Sequence, residues 1–348
     1  MTPSTRAEQF ASLFPTEKPF RAKQLEDAVF NVAYGGWKDV TVLPAPIRAV
    51  VADKIPWISL DCKKVMESKK KDTYKAALCT FDGHLIESVL MENARDQWTI
   101  CVSSQIGCAM KCTFCATGKM GLSRNLSEDE IVDQYRFWVK FLREHPALPQ
   151  RISNVVFMGM GEPMANYENV KSAIKTWLEY TDLGETKITV STVGLMAPLE
   201  KLLADTTWPH VRLAVSLHSA DKDVRGEIVP SGGTEFLNKL QDWGRRYLEI
   251  LGNRSHHLTF EYVLLSGHND RDADIEKLLR FVQSVGRVRV NLIPYNFTDS
   301  PFRRSEPVRI QKMVDRLESA DIPVTVRKTM GDDIAGACGQ LITEIGRK

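Results

Sequence analysis

The chain has 348 residues, 43% hydrophobic and 26% charged, which excludes a disordered polymer and leaves room for one large domain with an appendage. With 46 Lys and Arg against 44 Asp and Glu, the net charge is only +2, so any nucleic-acid footprint must be a local patch rather than a global basic field. No apolar run approaches the roughly 20 residues of a membrane span, and the opening MTPSTRAEQFASLFPTEKPF lacks the charged-then-apolar order of a secretory signal. The expectation is a cytoplasmic chain without a membrane partner. In that compartment clustered cysteines read as metal or redox chemistry rather than structural disulfides.

Residues 1–52 read as a small helical module. Leu25, Ala28 and Val29 are spaced as on one helix face, and Pro44-Ala45-Pro46 opens a second helix carrying Ile47, Val50 and Val51. Residues 53–97 read as a β-hairpin linker, with two apolar runs split by Asp82-Gly83. A third strand-like run covers residues 98–103. From there the pattern turns rhythmic, and residues 98–348 read as one core. Strand-like runs fall at residues 154–158, 187–191, 211–217, 258–264, 288–293 and 324–327. Amphipathic helices cover roughly 167–180, 234–250, 271–284 and 307–320, and another opens at Ser127 with Glu130 in a capping box. This alternation predicts an α/β fold of parallel βα units, open or closed into a barrel. Functional residues then belong at the C-terminal ends of strands. Polar signatures stand at those places: 159–162, 191–194, 216–218 and 291–296.

The stretch CVSSQIGCAMKCTFCATGKMG, residues 101–121, holds Cys101, Cys108, Cys112 and Cys115. Gly107 and Gly118 let the triplet loop fold tightly. Three thiolates on one loop leave two readings. Structural zinc wants four ligands, usually as two pairs; no second CxxC or HxxxH pair exists, and Cys101 would have to supply the fourth from a strand seven residues upstream. A four-iron cluster on three cysteines leaves one iron free for a small molecule, and a loop placed between a first strand and a βα array favours it.

CxxxCxxC, here Cys108 to Cys115, is the signature of the radical S-adenosylmethionine (SAM) enzymes. Together with VVFMGMGEPMANY, AVSLHSAD, VNLIPYN and VRKTMGDDIAGACGQL, it makes residues 75–345 resemble the RlmN/Cfr family of ribosomal-RNA adenine C-methyltransferases, with the N-terminal module resembling theirs more loosely. The resemblance implies a partial (βα)6 radical-SAM barrel with an N-terminal helical RNA-docking module and a β-hairpin linker. It implies one [4Fe-4S] cluster on Cys108, Cys112 and Cys115, and two SAM molecules per turnover. SAM contacts carry over to Gly161, Glu162, Ser191, Ser216, Leu217, His218 and Asn296. The bland readings are a tight turn for Gly161, helix caps for the serines and a satisfied core histidine for His218.

In the family one SAM methylates the residue matching Cys338, a second SAM is cleaved to a radical that activates this methyl, and the carbon then adds to adenine. Cys101 resembles the thiol that resolves the protein–RNA adduct, leaving a disulfide to be reduced. Glu87, in GHLIESVLM, resembles the proton acceptor, although a strand carboxylate is ordinarily a solvated side chain. Flanking glycines suggest a mobile segment around Cys338; Cys62 and Cys79 match no role. The implied partners are 23S rRNA and tRNA, together with a flavodoxin- or ferredoxin-type electron donor, acting on a monomer. Basic clusters at Lys63, Lys64, Lys69, Lys70, Lys71 and Lys75, and at Arg303, Arg304 and Arg309, are candidate phosphate contacts. The motifs look most like the housekeeping C2 branch. Ser219 in place of alanine and VPSGGTEF depart from that branch, and C8 methylation is the alternative. A non-catalytic zinc or iron–sulfur RNA-binding module, and a radical SAM enzyme for another substrate, are the remaining readings.

Overall fold

The computed structural model describes residues 2–233, 235–252 and 257–341; residues 342–348 of the expected core lie outside them. The chain begins with helices α1 (Arg6–Leu13), α2 (Phe20–Phe30) and α3 (Ala45–Lys54). The Thr5 hydroxyl accepts the Glu8 N–H while the Glu8 carboxylate accepts the Thr5 N–H, a closed capping box that starts α1. These helices enclose their own small core of Phe10, Leu25, Trp37, Val40, Leu43 and Val51. Arg6 fastens this module to the rest of the protein. Its buried guanidinium pairs with Asp129 at 2.6 Å and with Asp133, and Asp133 also accepts the Ser59 N–H at 2.6 Å. Phe30 stacks on Tyr180 with ring centroids 5.0 Å apart.

Strands β1 (Asp61–Glu67), β2 (Thr73–Cys79) and β3 (Leu85–Glu92) form an antiparallel meander, and the expected turn at Asp82-Gly83 joins the last two. Gly83 takes a φ of 79°, as a tight hairpin turn demands. The meander continues the main sheet, because β3 pairs antiparallel with β4 (Trp98–Cys101), setting Val89 opposite Cys101. A separate ribbon follows, β5 (Gln105–Cys108) against β6 (Gly121–Asn125), with the short helix α4 (Ala116–Lys119) between them.

Six helix-containing crossovers then build the parallel part. In chain order they run through α5 (Glu128–Glu144), β7 (Ile152–Phe157), α6 (Tyr167–Tyr180), β8 (Ile188–Thr192), α7 (Met196–Ala204) and β9 (Arg212–Ser216). They continue with α8 (Lys222–Ile228), α9 (Phe236–Ile250), β10 (Leu258–Leu264), α10 (Asp272–Val285), β11 (Arg289–Pro294), α11 (Pro307–Glu318) and β12 (Val324–Val326). The ten-stranded sheet has the order β1-β2-β3-β4-β7-β8-β9-β10-β11-β12, parallel from β4 onward. This is the expected α/β architecture. β-Branched and aromatic residues such as Val155, Val190, Phe260 and Val290 fill the strands and are fully buried, as parallel strands covered by helices must be. Each crossover helix lays its apolar face on the sheet: Trp138 of α5, Trp177 of α6 and Trp243 of α9 are completely buried. The capping box at Ser127 and Glu130 starts α5 as expected. The C-terminal ends of the parallel strands β4 and β7–β12 therefore open at one rim of the sheet, where the cysteine loop and Cys338 also lie. No helix among the described residues is long and apolar enough to cross a membrane.

Candidate active site

The cysteine loop is folded by close backbone approaches. Gly107 has a φ of +76°, and a Cβ there would fall 1.9 Å from the Gly121 carbonyl oxygen, so the β5–β6 ribbon can close only over glycine. The Thr113 N–H donates to the Ile228 carbonyl at 3.0 Å and the Ala116 N–H to the Gly339 carbonyl at 2.9 Å, clamping the loop between α8 and the C-terminal segment. Cys108 and Cys112 are buried and Cys115 is half-buried. Burial pushes the Cys108 thiol up to about 12 and also raises Cys112 and Cys115; their mutual repulsion adds to the rise at Cys108 and Cys112. Backbone N–H groups oppose it, Met110 on Cys108 and Thr117 and Gly118 on Cys115. Three sulfurs, two of them with amide donors directed at them, in a site where thiolates lack compensation, suit a polynuclear cation that takes up their charge. The donor set therefore fits an iron–sulfur cluster better than one zinc ion.

The three cysteines open on a cavity of about 130 Å3 walled by the strand ends. Gly161, Glu162, Ser191, Ser216, His218, Asn296 and Cys338 line it, so seven of the sequence-derived positions converge there with the triplet. Gly161 has a φ of +105° and packs so closely on β5 that a Cβ would lie 2.7 Å from the Gln105 nitrogen. Glu162 is buried; its oxygens accept the Met164 N–H at 2.9 Å and the Val193 N–H at 2.8 Å. Burial raises its pKa against these hydrogen bonds, and among the described residues no cation pairs with it, so the cavity presents a carboxylate suited to a ligand ammonium. His218 sits at a φ of 58°, and its Nδ1 accepts the Val263 N–H at 3.1 Å, which fixes the proton of the neutral ring on Nε2. Burial pulls its pKa down to about 3.

A residue that sequence reasoning missed stands beside them. Glu261, in the middle of β10, accepts the Ser191 hydroxyl at 2.6 Å through Oε2, while its buried Oε1 has no hydrogen-bond partner. It lines the same cavity. That oxygen lies 3.9 Å from the Arg327 guanidinium, an ion pair without a hydrogen bond, and a carboxylate oxygen with hydrogen-bonding capacity left fits a ligand that brings a donor, such as a ribose hydroxyl. The only sequence signal was a lone acid inside an otherwise apolar strand.

A second cavity, of about 640 Å3, adjoins the first and contains Cys101, Arg327 and Lys328. Met158, Ile293, Pro294, Asn296, Cys338 and Leu341 belong to both. Cys338 thus stands on the shared wall, enclosed by neighbours yet exposed because it faces open space on either side. Its surroundings push its thiol up to about 11, against the pull of Arg327, and burial followed by the neighbouring Cys338 pushes Cys101 up to about 12. Both are free thiols here. Three side-chain hydrogen bonds hold this segment against the rest of the site. Asn296 Nδ2 donates to the Cys338 carbonyl at 3.1 Å, Thr117 Oγ1 to Leu341 at 2.6 Å, and Gln340 Nε2 to Phe297 at 3.0 Å.

Some sequence-derived residues lie elsewhere. Leu217 is fully buried and lines neither cavity; its backbone N–H bonds to the Glu261 carbonyl at 3.0 Å. Glu87 also lines neither and is buried rather than solvated, 2.9 Å from the Lys75 ammonium. That pairing removes Lys75 from the surface cluster, and Lys75 donates to the Ala335 carbonyl at 3.1 Å. Arg304 and Arg309 stay at the surface but are hydrogen-bonded within the chain, Arg304 to Tyr295 and Asn296 and Arg309 to Asp270 and Asp272.

Residues 102–282 match the radical SAM superfamily. The chain is 42% identical to a probable dual-specificity RNA methyltransferase RlmN of Thermobifida fusca, over 98% of this chain and 93% of that protein. It is 37% identical to the dual-specificity RNA methyltransferase RlmN of Desulfotalea psychrophila, over 93% and 89%. A radical SAM methyltransferase from Sphaerobacter thermophilus superposes with a TM-score of 0.88 at 38% identity, covering 98% of each chain.

Proposed function

Because this chain belongs to the RlmN family of the radical SAM enzymes, we propose that it methylates C2 of an adenosine in 23S rRNA and of an adenosine in tRNA, through a methyl group carried on Cys338. C2 of adenine has no lone pair with which to attack a sulfonium methyl, so a polar transfer to that carbon is closed. Cys108, Cys112 and Cys115 hold a [4Fe-4S] cluster, which when bound supplies the electron for reductive cleavage of SAM. Glu162 receives the SAM ammonium and Gly161 leaves room for it; Ser191, Ser216, His218 and Asn296 complete the pocket.

Cys338 first acts as nucleophile: its sulfur bonds the SAM methyl, the sulfonium C–S bond breaks, and the thiol proton leaves. This consumes one SAM, and activation of the carried methyl consumes another. Once that carbon is joined to adenine, the ring loses its C2 proton to a base and the adduct gives up its odd electron, which balances the one spent on cleaving SAM. Cys101 then attacks the Cys338 sulfur; an S–S bond forms, and the S–C bond breaks with its electron pair passing to the product carbon, which takes up a proton. The disulfide must be reduced before another cycle, while a flavodoxin- or ferredoxin-type protein is the electron donor for SAM cleavage.

The observation that carries this reading is the position of Cys338 on the wall common to the two cavities, with the cysteine triplet on one side and Cys101 on the other. Mass spectrometry of 23S rRNA and tRNA from a strain lacking the protein tests it. The expected result is loss of 2-methyladenosine from both, restored by the gene; loss of 8-methyladenosine instead would overturn the C2 assignment.

A further inference from the structure

Arg225 is a charged residue that the reaction above does not use. It lies on α8, only 3% exposed. Nε donates to the Leu217 carbonyl at 3.1 Å, Nη2 donates to the Val193 carbonyl at 2.8 Å, and the guanidinium lies 3.7 Å from the Phe236 ring centroid. These partners are neutral. Among the described residues no carboxylate pairs with Arg225, whose side chain is buried. One turn further along α8, the Ile228 carbonyl holds the Thr113 N–H next to Cys112, and Ile228 and Val229 pack in one apolar cluster with Cys112. A guanidinium buried without a counter-ion is costly.

The missing negative charge is the one the cysteine loop acquires when loaded. Three thiolates leave a four-iron assembly anionic, and an added electron makes it more so. We infer that Arg225 is the buried counter-charge of the cluster, a positioning residue that favours its reduced state and its retention in the loop. The inference requires the reading in which Cys108, Cys112 and Cys115 hold a [4Fe-4S] cluster. A cation in a water-poor wall acts on such a group strongly, because little solvent screens it. The two carbonyl bonds also tie Arg225 to the strand ends that carry Ser191 and Ser216, so its position is fixed relative to the cavity.

The test compares full-length wild-type protein, Arg225→Lys and Arg225→Gln, all purified anaerobically and poised without SAM at the wild-type midpoint potential. The reduced cluster is quantified by electron paramagnetic resonance. Arg225→Gln should lower the reduced-to-oxidised ratio about tenfold, which is a shift of about 59 mV for a one-electron couple. Arg225→Lys keeps the charge but not the forked geometry, and should hold the ratio near wild type. An unmoved ratio in Arg225→Gln overturns the inference, as does a lysine variant that falls equally far, since the carbonyl ties and not the charge would then matter. If Arg225→Gln loses its iron, iron per chain becomes the readout: retention in Arg225→Lys supports the counter-charge, and equal loss in both overturns it. A wild-type chain with no reducible cluster would remove the cluster reading itself and this inference with it.

Discussion

The two cavities that meet at Cys338 are built from different materials. The smaller, of about 130 Å3, is walled by parallel strand ends, by sulfur, and by polar groups that are themselves buried, among them Glu162, His218 and Glu261. The larger, of about 640 Å3, is bounded by β4 on one side and by loops carrying Lys70, Arg327 and Lys328 on the other. In the first, almost every hydrogen bond is already committed, and the open valences are one carboxylate without a cation and one carboxylate oxygen without a donor. Such a site selects a small ligand by charge and shape. The second offers room and exposed cations, as suits a nucleotide arriving from solvent on a longer chain. Under the proposed function the cofactor belongs on one side of Cys338 and the RNA base on the other.

The largest expected effect breaks the smaller cavity. Cys108→Ala, Cys112→Ala or Cys115→Ala should each reduce iron to background and abolish SAM cleavage, because two thiolates and a cavity cannot anchor what three hold. Iron and sulfide assays on anaerobically reconstituted variants check this. A full cluster in any single variant would remove the triplet from its role.

Next comes a change on the larger side that should leave the smaller intact. Cys101→Ala should keep its iron, cleave SAM and methylate Cys338, yet stop after about one turnover with RNA attached. An external thiol is a poor substitute for one held beside the bond to be broken, where effective molarities can reach about 10^5 M or more. Denaturing electrophoresis should show a protein–RNA complex that nuclease removes and that Cys338→Ala abolishes. If Cys101→Ala turns over normally, or loses iron, the division between the cavities fails.

Much of this division was legible in the sequence. Residues 167–180 read as a helix and form α6 over those residues, residues 258–264 form β10, and Asp82-Gly83 makes the expected turn. Long amphipathic periods and turn residues carry such local information. What escaped notice depends on distant partners. The four-residue strand β5 exists only because β6 lies against it, and Gly107 permits that approach. α7 begins at Met196 with Pro198 inside its first turn, a position where proline is tolerated but where it looks like a loop. Lys75 sits at the end of a lysine-rich stretch and reads as surface, whereas the sheet pairs it with Glu87 in the interior. Motif spacing located the triplet, Glu162 and Cys338, but could not distinguish Leu217, which faces the core, from His218 beside it, which lines the cavity.

The smallest expected effect tests how dry the smaller cavity is, through His218. Its pKa is pulled down from the ordinary 6.5 to about 3, first by burial and then by the cationic Arg225. In the unfolded chain the ring takes up a proton near pH 6.5, while in the folded protein it stays neutral until about pH 3. Between these values the unfolded state binds more protons, so stability falls as the pH drops through that window, with a slope approaching about 1.4 kcal/mol per unit. Above pH 6.5 the ring is neutral in both states and contributes no slope. His218→Asn is the informative variant. Asparagine tolerates the left-handed backbone at this position, its side-chain oxygen can still accept the Val263 N–H, and it does not titrate. Relative to wild type at pH 7.5, His218→Asn should therefore gain about 1.4 kcal/mol by pH 5.5. Urea unfolding of the two proteins under identical anaerobic conditions measures this, because other titrating groups cancel in the difference. A constant difference between the two proteins across pH 5.5 to 7.5 would mean that His218 is as well solvated folded as unfolded, and that the smaller cavity is wet.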